Sequence, residues 1–373
     1  MLLQVPFRGF RGKNIIIMYK ILSINPGSTS TKFGVYEDEK EILIDTIRHS
    51  ADELKGFEKI SDQFQFRKNL IVNTLKSKGI NVHSFNAIVG RGGIVKPLES
   101  GVYEVNTALK TDLTNAAYGE HASNLGGLIA LEMTQEIPAC RAFIADPVVT
   151  DELQNVARIS GLPAMPRRSV FHALNQKAMA RRFVKENNKK YEDLNLIIVH
   201  MGGGISVGAH KGGRIIDVNN AVDGEGPFSP ERSGSLVAID LAKLCFSGNY
   251  TLNEVKKMIN GKGGLMAHLG INEAHVAAQR IADGDKHAEL IMNAMIYNIA
   301  KLVGSMAVVL QGKIDAIILT GGIAYNQYVV SNLKPMISFL APITVYPGED
   351  EMGALAMAGL RVLRGEEIPK VYE

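Results

Sequence analysis

Cysteine is scarce. Cys140 and Cys245 are the only two in 373 residues, which excludes a disulfide framework and a four-thiolate metal site. They read as reduced packing residues of a cytoplasmic protein. Charge of one sign is lacking as well: 41 Lys and Arg stand against 38 Asp and Glu, leaving +3. No segment is dominated by like charge, so a dedicated nucleic-acid binder is excluded. The densest basic run, Arg181, Arg182, Lys185, Lys189 and Lys190, lies among helix formers and reads as a solvated helix face. There is no clean membrane span either. The most apolar stretch, Leu290 to Leu310, carries Asn293, Asn298, Lys301 and Ser305 on one helical stripe and is expected to be a core helix. The P-loop signature G-x-x-x-x-G-K-[ST] is absent. Gly202-Gly203-Gly204 with Gly208 has the wrong spacing for a dinucleotide fingerprint, and strand-like ISVGAH follows where a helix is required, which argues against hydride transfer.

What is present is an ordinary globular balance, 46% hydrophobic and 21% charged, in a chain longer than one core usually organises. Two domains are expected. Residues 1–17 are partly basic and apolar without a cleavage site; they read as an extra N-terminal tail or a mis-assigned start ahead of Met18.

From Met18 onward the pattern repeats. Strands are expected at Tyr19–Ile24, Thr31–Tyr36 and Glu41–Ile47, with the polar turn Asn25-Pro26-Gly27-Ser28-Thr29-Ser30 between the first two. Ser50 with Glu53 has the spacing of a helix capping box. A helix over Phe66–Leu75, a strand over Ala87–Gly90 and another over Pro138–Val149 follow. The second half reads Leu194–His200, a glycine turn at 201–204, Ile205–His210, a tight turn, Arg214–Val218, and later Ala316–Thr320 with Gly321-Gly322-Ile323. Strand, phosphate-sized turn, strand, turn, strand occurs twice. Such a duplication implies two related α/β domains whose polar turns face each other across a cleft. Glycine-rich turns allow close backbone approach, so that successive N–H groups can cradle an anion, and Ser28, Ser30 and Lys32 add donors suited to phosphate.

Seven segments, NPGSTSTK at 25–32, GRGG at 90–93, ADPVV at 145–149, RRSVFHALNQ at 167–176, HMGGGISV at 200–207, PERSG at 230–234 and LTGGI at 319–323, together resemble the acetate and butyrate kinases. The resemblance runs from Met18 nearly to the end and is nearest the butyrate kinase branch, for which DGEGPFSPERSG is typical. It implies the duplicated actin-like ATPase (ribonuclease H-like) fold, divided as 18–150 plus 354–373 and 151–353. It also implies transfer of the γ-phosphoryl group of ATP, with Mg²⁺, to a short-chain carboxylate, giving an acyl phosphate and ADP. An anionic carboxylate needs no general base, but cationic clamping must bring two anions together. Arg91 and Arg232 are the candidate clamps, since a guanidinium fork binds carboxylate or phosphoryl oxygens bidentately.

By the same resemblance His172 hydrogen-bonds the transferring phosphoryl group, and Asn25 positions phosphate or metal-bound water. Asp146 and Glu351 assist Mg²⁺, with Glu349 and Asp350 as alternatives to the latter. His200 with Gly202, Gly203 and Gly204 contacts ATP phosphates, and Gly321, Gly322 and Ile323 border the adenosine. Many acetate kinases carry Asn where this chain has Gly203, so only a backbone contact is expected there. Gly92 and Gly93, directly after Arg91, are expected to open room for a longer acyl chain, pointing to butyrate or a branched four- to five-carbon acid over acetate; butyrate is the expected substrate, with a branched-chain, acetate or propionate kinase as the alternative. The resemblance further implies a homodimer or larger homo-oligomer, with no nucleic-acid or membrane partner. A sugar kinase of the same fold, with Asp146 or Asp223 as base, and a nucleotide-driven binding module are the remaining alternatives. The latter is the less expected, because this sequence runs only to Glu373, soon after the last motif, and a peptide-binding domain is not expected in it.

Overall fold

Two mixed sheets carry the chain, described for residues 18–373 in a computed structural model; the tail expected at residues 1–17 lies outside the described residues. The first sheet holds β1 (Lys20–Pro26), β2 (Ser30–Glu37), β3 (Lys40–Arg48), β4 (Ala87–Arg91), β5 (Val102–Glu104) and β6 (Arg141–Ala145). The second holds β7 (Asn195–Met201), β8 (Ile205–Lys211), β9 (Arg214–Val218), β10 (Ala316–Gly321) and β11 (Ile343–Pro347). Their orders, β3-β2-β1-β4-β6-β5 and β9-β8-β7-β10-β11 when read from the same edge, superimpose the duplication read in the sequence. In each, an antiparallel three-stranded meander is extended by parallel strands. The fold is the duplicated actin-like α/β architecture.

The central strands read as continuous apolar runs because both faces are covered. Alternate residues of β1 and β4 supply two cores: Leu22, Ile24 and Ile88 on one face, Ile21, Ala87 and Val89 on the other. The second sheet does likewise with Ile197, Val199 and Leu319 against Leu196, Ile198 and Ile318. The apolar stretch near 290–310 forms the helix Lys286–Val309, whose Met292, Met295, Ile299 and Val303 fill the second core. The last long helix, Glu351–Leu363, returns to the first sheet, where Met352, Leu355 and Ala356 pack with Ile21 and Val89.

Boundaries differ from the sequence reading where backbone chemistry intervenes. The strand expected over Pro138–Val149 is confined to Arg141–Ala145. Asp146 takes a left-handed backbone (φ 38°), and the following Pro147 has no N–H to give to a ladder. The helix Phe64–Ser77 extends beyond Phe66–Leu75 at both ends. The capping box of Ser50 and Glu53 is formed. β5 and β11 went unread; each is short, and their exposed positions break the apolar pattern.

Candidate active site

The carboxyl ends of the parallel strands and the two meander turns converge, as ligand sites of open α/β sheets do. β1 ends in Asn25 and the turn 27–29, β4 in Arg91, and β6 in Asp146. In the second half β7 ends in His200 and the turn 202–204, β10 in Gly321, and β11 just before Glu349. Arg91, Asp146, His172, His200, Glu349 and Glu351 line one tight space.

Asn25, Arg91 and Glu351 form a triangle. Arg91 Nη1 lies 2.8 Å from Glu351 Oε1, Asn25 Nδ2 donates to Glu351 Oε2 at 2.5 Å, and Arg91 Nη1 donates to Asn25 Oδ1 at 3.4 Å. Of the three acidic candidates after β11, Asp350 caps the final helix by accepting from the Gly353 amide and is thereby occupied. Glu351 meets Arg91, while Glu349 Oε1 sits 3.1 Å from His200 Nε2. His200 Nε2 is nonetheless a buried nitrogen without a hydrogen-bond partner among the described residues. The other ring nitrogen, Nδ1, donates to Asn175 Oδ1 at 2.9 Å. Burial would raise the pKa of Glu349, but His200, Arg91 and Lys32 outweigh it and keep the carboxyl below its ordinary value.

His172 stacks on His200 with ring centroids 3.8 Å apart. Gln176 Nε2 donates to Ser206 Oγ at 2.9 Å, and the same hydroxyl lies 3.0 Å from His172 Nδ1. When the hydroxyl donates to Nδ1, the neutral ring carries its proton on Nε2. Burial first, then His200, Arg232 and Arg91, hold the His172 pKa well below that of free histidine, so the ring is neutral at pH 7.

Arg232 differs from Arg91. It donates to the Ala221 carbonyl at 2.6 Å and to Asn260 Oδ1 at 3.3 Å, with no ion-pair partner among the described residues. Burial lowers its pKa, partly offset by Glu231 and Asp223. Ser229 ties its loop to the glycine turn by donating to the Gly203 carbonyl at 2.6 Å and accepting from the Arg232 amide at 3.2 Å. A Cβ on Gly204 would fall within the Arg232 guanidinium, so that glycine is what lets the arginine lie over the turn. Arg167 anchors the base of the same loop through Asp217 at 2.9 Å and Glu225 at 2.7 Å.

Between the two arginines lies a cavity of about 280 Å³. Its apolar wall is Ile94, Val148, Val170, Phe171, Ala221 and Val222; its polar members are Arg91, His121, Ser123, His172, Arg232 and Asn260. Among the described residues no carboxylate lines it.

Several sequence expectations need correction. Gly92 and Gly93 do not open this cavity: a Cβ on Gly92 would meet Pro147 Cβ at 2.5 Å, and one on Gly93 would meet Asn124 Cα at 2.7 Å. They are glycines because the chain passes close to its neighbours there. Asp146 does not present a free carboxylate to a metal. Oδ1 accepts from Ser100 Oγ at 2.6 Å and the Gly101 amide at 2.8 Å, and Oδ2 lies 3.2 Å from Arg181 Nη1. Burial would raise its pKa, but Arg181, Lys177 and Ser100 overcome that and hold it below the usual carboxylate value. Ile323 packs its side chain into the second core, which leaves only backbone there for a ligand.

The remaining candidates lie where expected along the chain. Ser28 and Ser30 sit on the first turn and Lys32 pairs in register with Asn25. Gly202, Gly203 and Gly204 form the second turn, closed by the Gly202 amide donating to the Gly204 carbonyl at 2.9 Å. Gly321 (φ 88°) and Gly322 end β10 beside β7 and the second turn.

The sequence reading missed His121, whose pKa burial and then Arg91 lower, together with Glu349 as the neighbour of His200. It also missed the apolar wall and Arg67 behind the first turn. His121 lies in a polar loop with no motif around it, and the wall residues come from four separate segments, so neither left a local signal.

A model of the acetokinase family matches residues 164–342. The chain is 57% identical over 356 residues to butyrate kinase 1 of Clostridium acetobutylicum, covering 95% of this chain and 100% of that one. It is likewise 57% identical over 354 residues to a probable butyrate kinase of Bacteroides thetaiotaomicron, covering 95% and 100%. Among solved structures it is similar to the acetate kinase of Porphyromonas gingivalis, with a TM-score of 0.76 at 19% identity over 92% of this chain and 100% of that one. A propionate kinase of Francisella tularensis gives 0.70 at 19% identity, over 91% and 99%. The chain belongs to the acetokinase family, on the branch of the butyrate kinases.

Proposed function

We propose that this enzyme transfers the γ-phosphoryl group of ATP directly, in line, to butanoate, giving butanoyl phosphate and ADP. The observation that carries the reading is the cavity: two guanidinium groups and a neutral imidazole converge on a space with an apolar wall and no carboxylate. An alcohol acceptor would need a base, whereas a carboxylate is already ionised at neutral pH. The absence of an acid on the wall therefore favours a carboxylate over a sugar. Arg232, without a carboxylate partner, is a cation available to an incoming anion. Arg91, held by Glu351, is fixed in position for the other.

In this mechanism Arg91 and Arg232 hold the acceptor carboxylate and the migrating phosphoryl group, and the His172 Nε2–H donates to a phosphoryl oxygen. A neutral donor stabilises charge that develops in flight without binding the ground-state anions too tightly. His200 and the amides of the turn 202–204 receive ATP phosphates, as do Ser28, Ser30 and Lys32 on the opposite turn. The backbone at Gly321 and Gly322 borders the adenosine. Glu349 and Glu351 offer hard oxygens beside these phosphates, and no cluster of three metal-ligating side chains occurs among the described residues. That set fits Mg²⁺, which keeps most of its waters and binds through one or two carboxylates and nucleotide phosphates. When bound it supplies charge neutralisation between the β- and γ-phosphates.

We further propose that the lobes divide as 18–150 with 354–373 and 151–353, supported by the return of the last helix to the first sheet. The helix Ala238–Cys245 has no buried residue, and Leu236, Val237, Ile239 and Phe246 around it are exposed; this supports a homodimer through that face. A dependence on ATP supports a cytoplasmic site of action. The deciding experiment is an ATP- and Mg²⁺-dependent assay across a series of carboxylates with hydroxylamine trapping of the acyl phosphate. Two further buried methylenes contribute about 1.6 kcal/mol, so kcat/KM for butyrate should exceed that for acetate by about fifteenfold. Equal efficiency would overturn butyrate and keep the carboxylate kinase; no hydroxamate with any acid would overturn both.

A further inference from the structure

Arg67, on the helix Phe64–Ser77, is 1% exposed, and the groups that accept its hydrogen bonds are neutral. Nε and Nη2 donate to Gln63 Oε1 at 3.1 and 2.7 Å. Nη1 donates to the Gly27 carbonyl at 2.6 Å, the Ser30 carbonyl at 3.0 Å and Thr31 Oγ1 at 3.2 Å. Nη2 also donates to the Ser28 carbonyl at 3.1 Å. The remaining carbonyl of the turn, that of Thr29, accepts from the His49 amide at 2.8 Å. All four carbonyls of residues 27–30 thus have protein donors, three of them from Arg67. In a trans peptide the carbonyl of one residue and the N–H of the next point in opposite directions. Drawing the carbonyls of Gly27 and Ser28 inward therefore drives the amides of Ser28 and Thr29 outward. Neither amide meets an acceptor among the described residues.

We propose that Arg67 is a positioning residue for phosphoryl transfer, its buried guanidinium fixing the first turn so that the Ser28 and Thr29 amides face the nucleotide phosphates. This rests on the kinase reading above and goes beyond it. A planar fork suits the task, because one side chain must reach three carbonyls in different directions, whereas an ammonium on a flexible stem offers no such geometry. Burial pulls its pKa down only to about 10, so the charge persists at neutral pH and adds positive potential beneath the turn. Arg67 touches no substrate; its effect is exerted through the turn.

The test compares the wild-type protein with Arg67→Lys and Gln63→Leu, reading the thermal midpoint, Mg-ADP affinity by calorimetry, and KM for ATP and for butyrate separately. Arg67→Lys should weaken ADP and raise KM for ATP by about tenfold, the equivalent of one well-placed hydrogen bond. KM for butyrate should stay within about twofold. Gln63→Leu, which only frees the fork, should shift the same two quantities by about threefold. Unchanged nucleotide affinity, or an equal rise in both KM values, would overturn the proposal. If Arg67→Lys does not fold, the Gln63→Leu protein decides by the same criteria. If the wild-type protein turns over no carboxylate, the kinase reading fails alone, and ADP affinity still decides the role of Arg67.

Discussion

The two phosphate turns occupy equivalent places in the duplicated sheets, yet they are built from opposite materials. The first, 27–29, takes its shape from a buried cation behind it: Arg67 pulls its carbonyls inward, and a Cβ on Gly27 would meet Ser30 Oγ at an ordinary 3.4 Å. The second, 202–204, takes its shape from the absence of side chains. Ser229 holds one carbonyl, and the Arg232 guanidinium lies where a Cβ of Gly204 would be. One turn is held from the protein side; the other leaves room for a cation on the ligand side. Duplication conserved the backbone plan, while the positive charge sits behind one turn and in front of the other.

The arginines facing the cavity test this contrast most strongly. Arg91→Ala and Arg232→Ala should each lower kcat by at least about 100-fold, the scale of losing one transition-state donor. Their effects on stability should differ. Arg91→Ala deprives Glu351 of its ion pair, whereas Arg232→Ala removes a half-buried charge that forms no ion pair among the described residues and should leave the thermal midpoint unchanged or higher. Near-normal turnover in either variant would remove that arginine from the site.

A methyl group probes the turns themselves. Gly204→Ala should displace Arg232 and cost about ten- to a hundredfold in kcat, since misplacing a reacting group by about 1 Å is that expensive. Gly27→Ala and Gly203→Ala, where the nearest atoms are at 3.4 and 3.8 Å, should stay near wild-type activity. Comparable losses at all three would mean that both turns depend on bare backbone and that the contrast is false.

The smallest effect concerns pH. Burial holds His172 and His210 neutral, with pKa values well below the ordinary one. The unfolded chain takes up protons on these rings below about pH 6.5 while the folded one does not, so stability should fall as pH drops through that value. The limiting slope is about 1.4 kcal/mol per pH unit for each ring. Urea midpoints at pH 7.5 and 5.5 read the effect, and kcat should show no inflection near 6.5 from His172. An inflection there that disappears in His172→Gln would show the ring titrating normally.

Much of this was legible in the sequence because it is local. Asn25-Pro26-Gly27 and Met201-Gly202-Gly203-Gly204 punctuate apolar strands so clearly that the repeat, the two sheets and both turns could be read directly. Arg91, His172, His200 and Arg232 stand beside those turns or within quoted motifs and could be named with them. Residues acting across the fold could not. Gly92 and Gly93 look like room for a substrate until Pro147 and Asn124 are seen against them. Asp146 looks like an open metal ligand until Ser100, Gly101 and Arg181 close around it. Glu349 and Glu351 become distinguishable only when Asp350 caps its helix.

Arg67 is the sharpest instance. In the sequence it is one more charged residue in an amphipathic helix, and only the packing of that helix under the β1–β2 turn makes it the anchor of a phosphate site. The sequence by itself determined the repeated architecture, the turns and the class of chemistry, because hydrophobic period and glycine placement act over a few residues. The tertiary structure alone decided which side of each turn is charged, which carboxylates are free and what walls the acyl cavity. Burial and pairing are properties of neighbours in space, and these neighbours come from segments far apart along the chain.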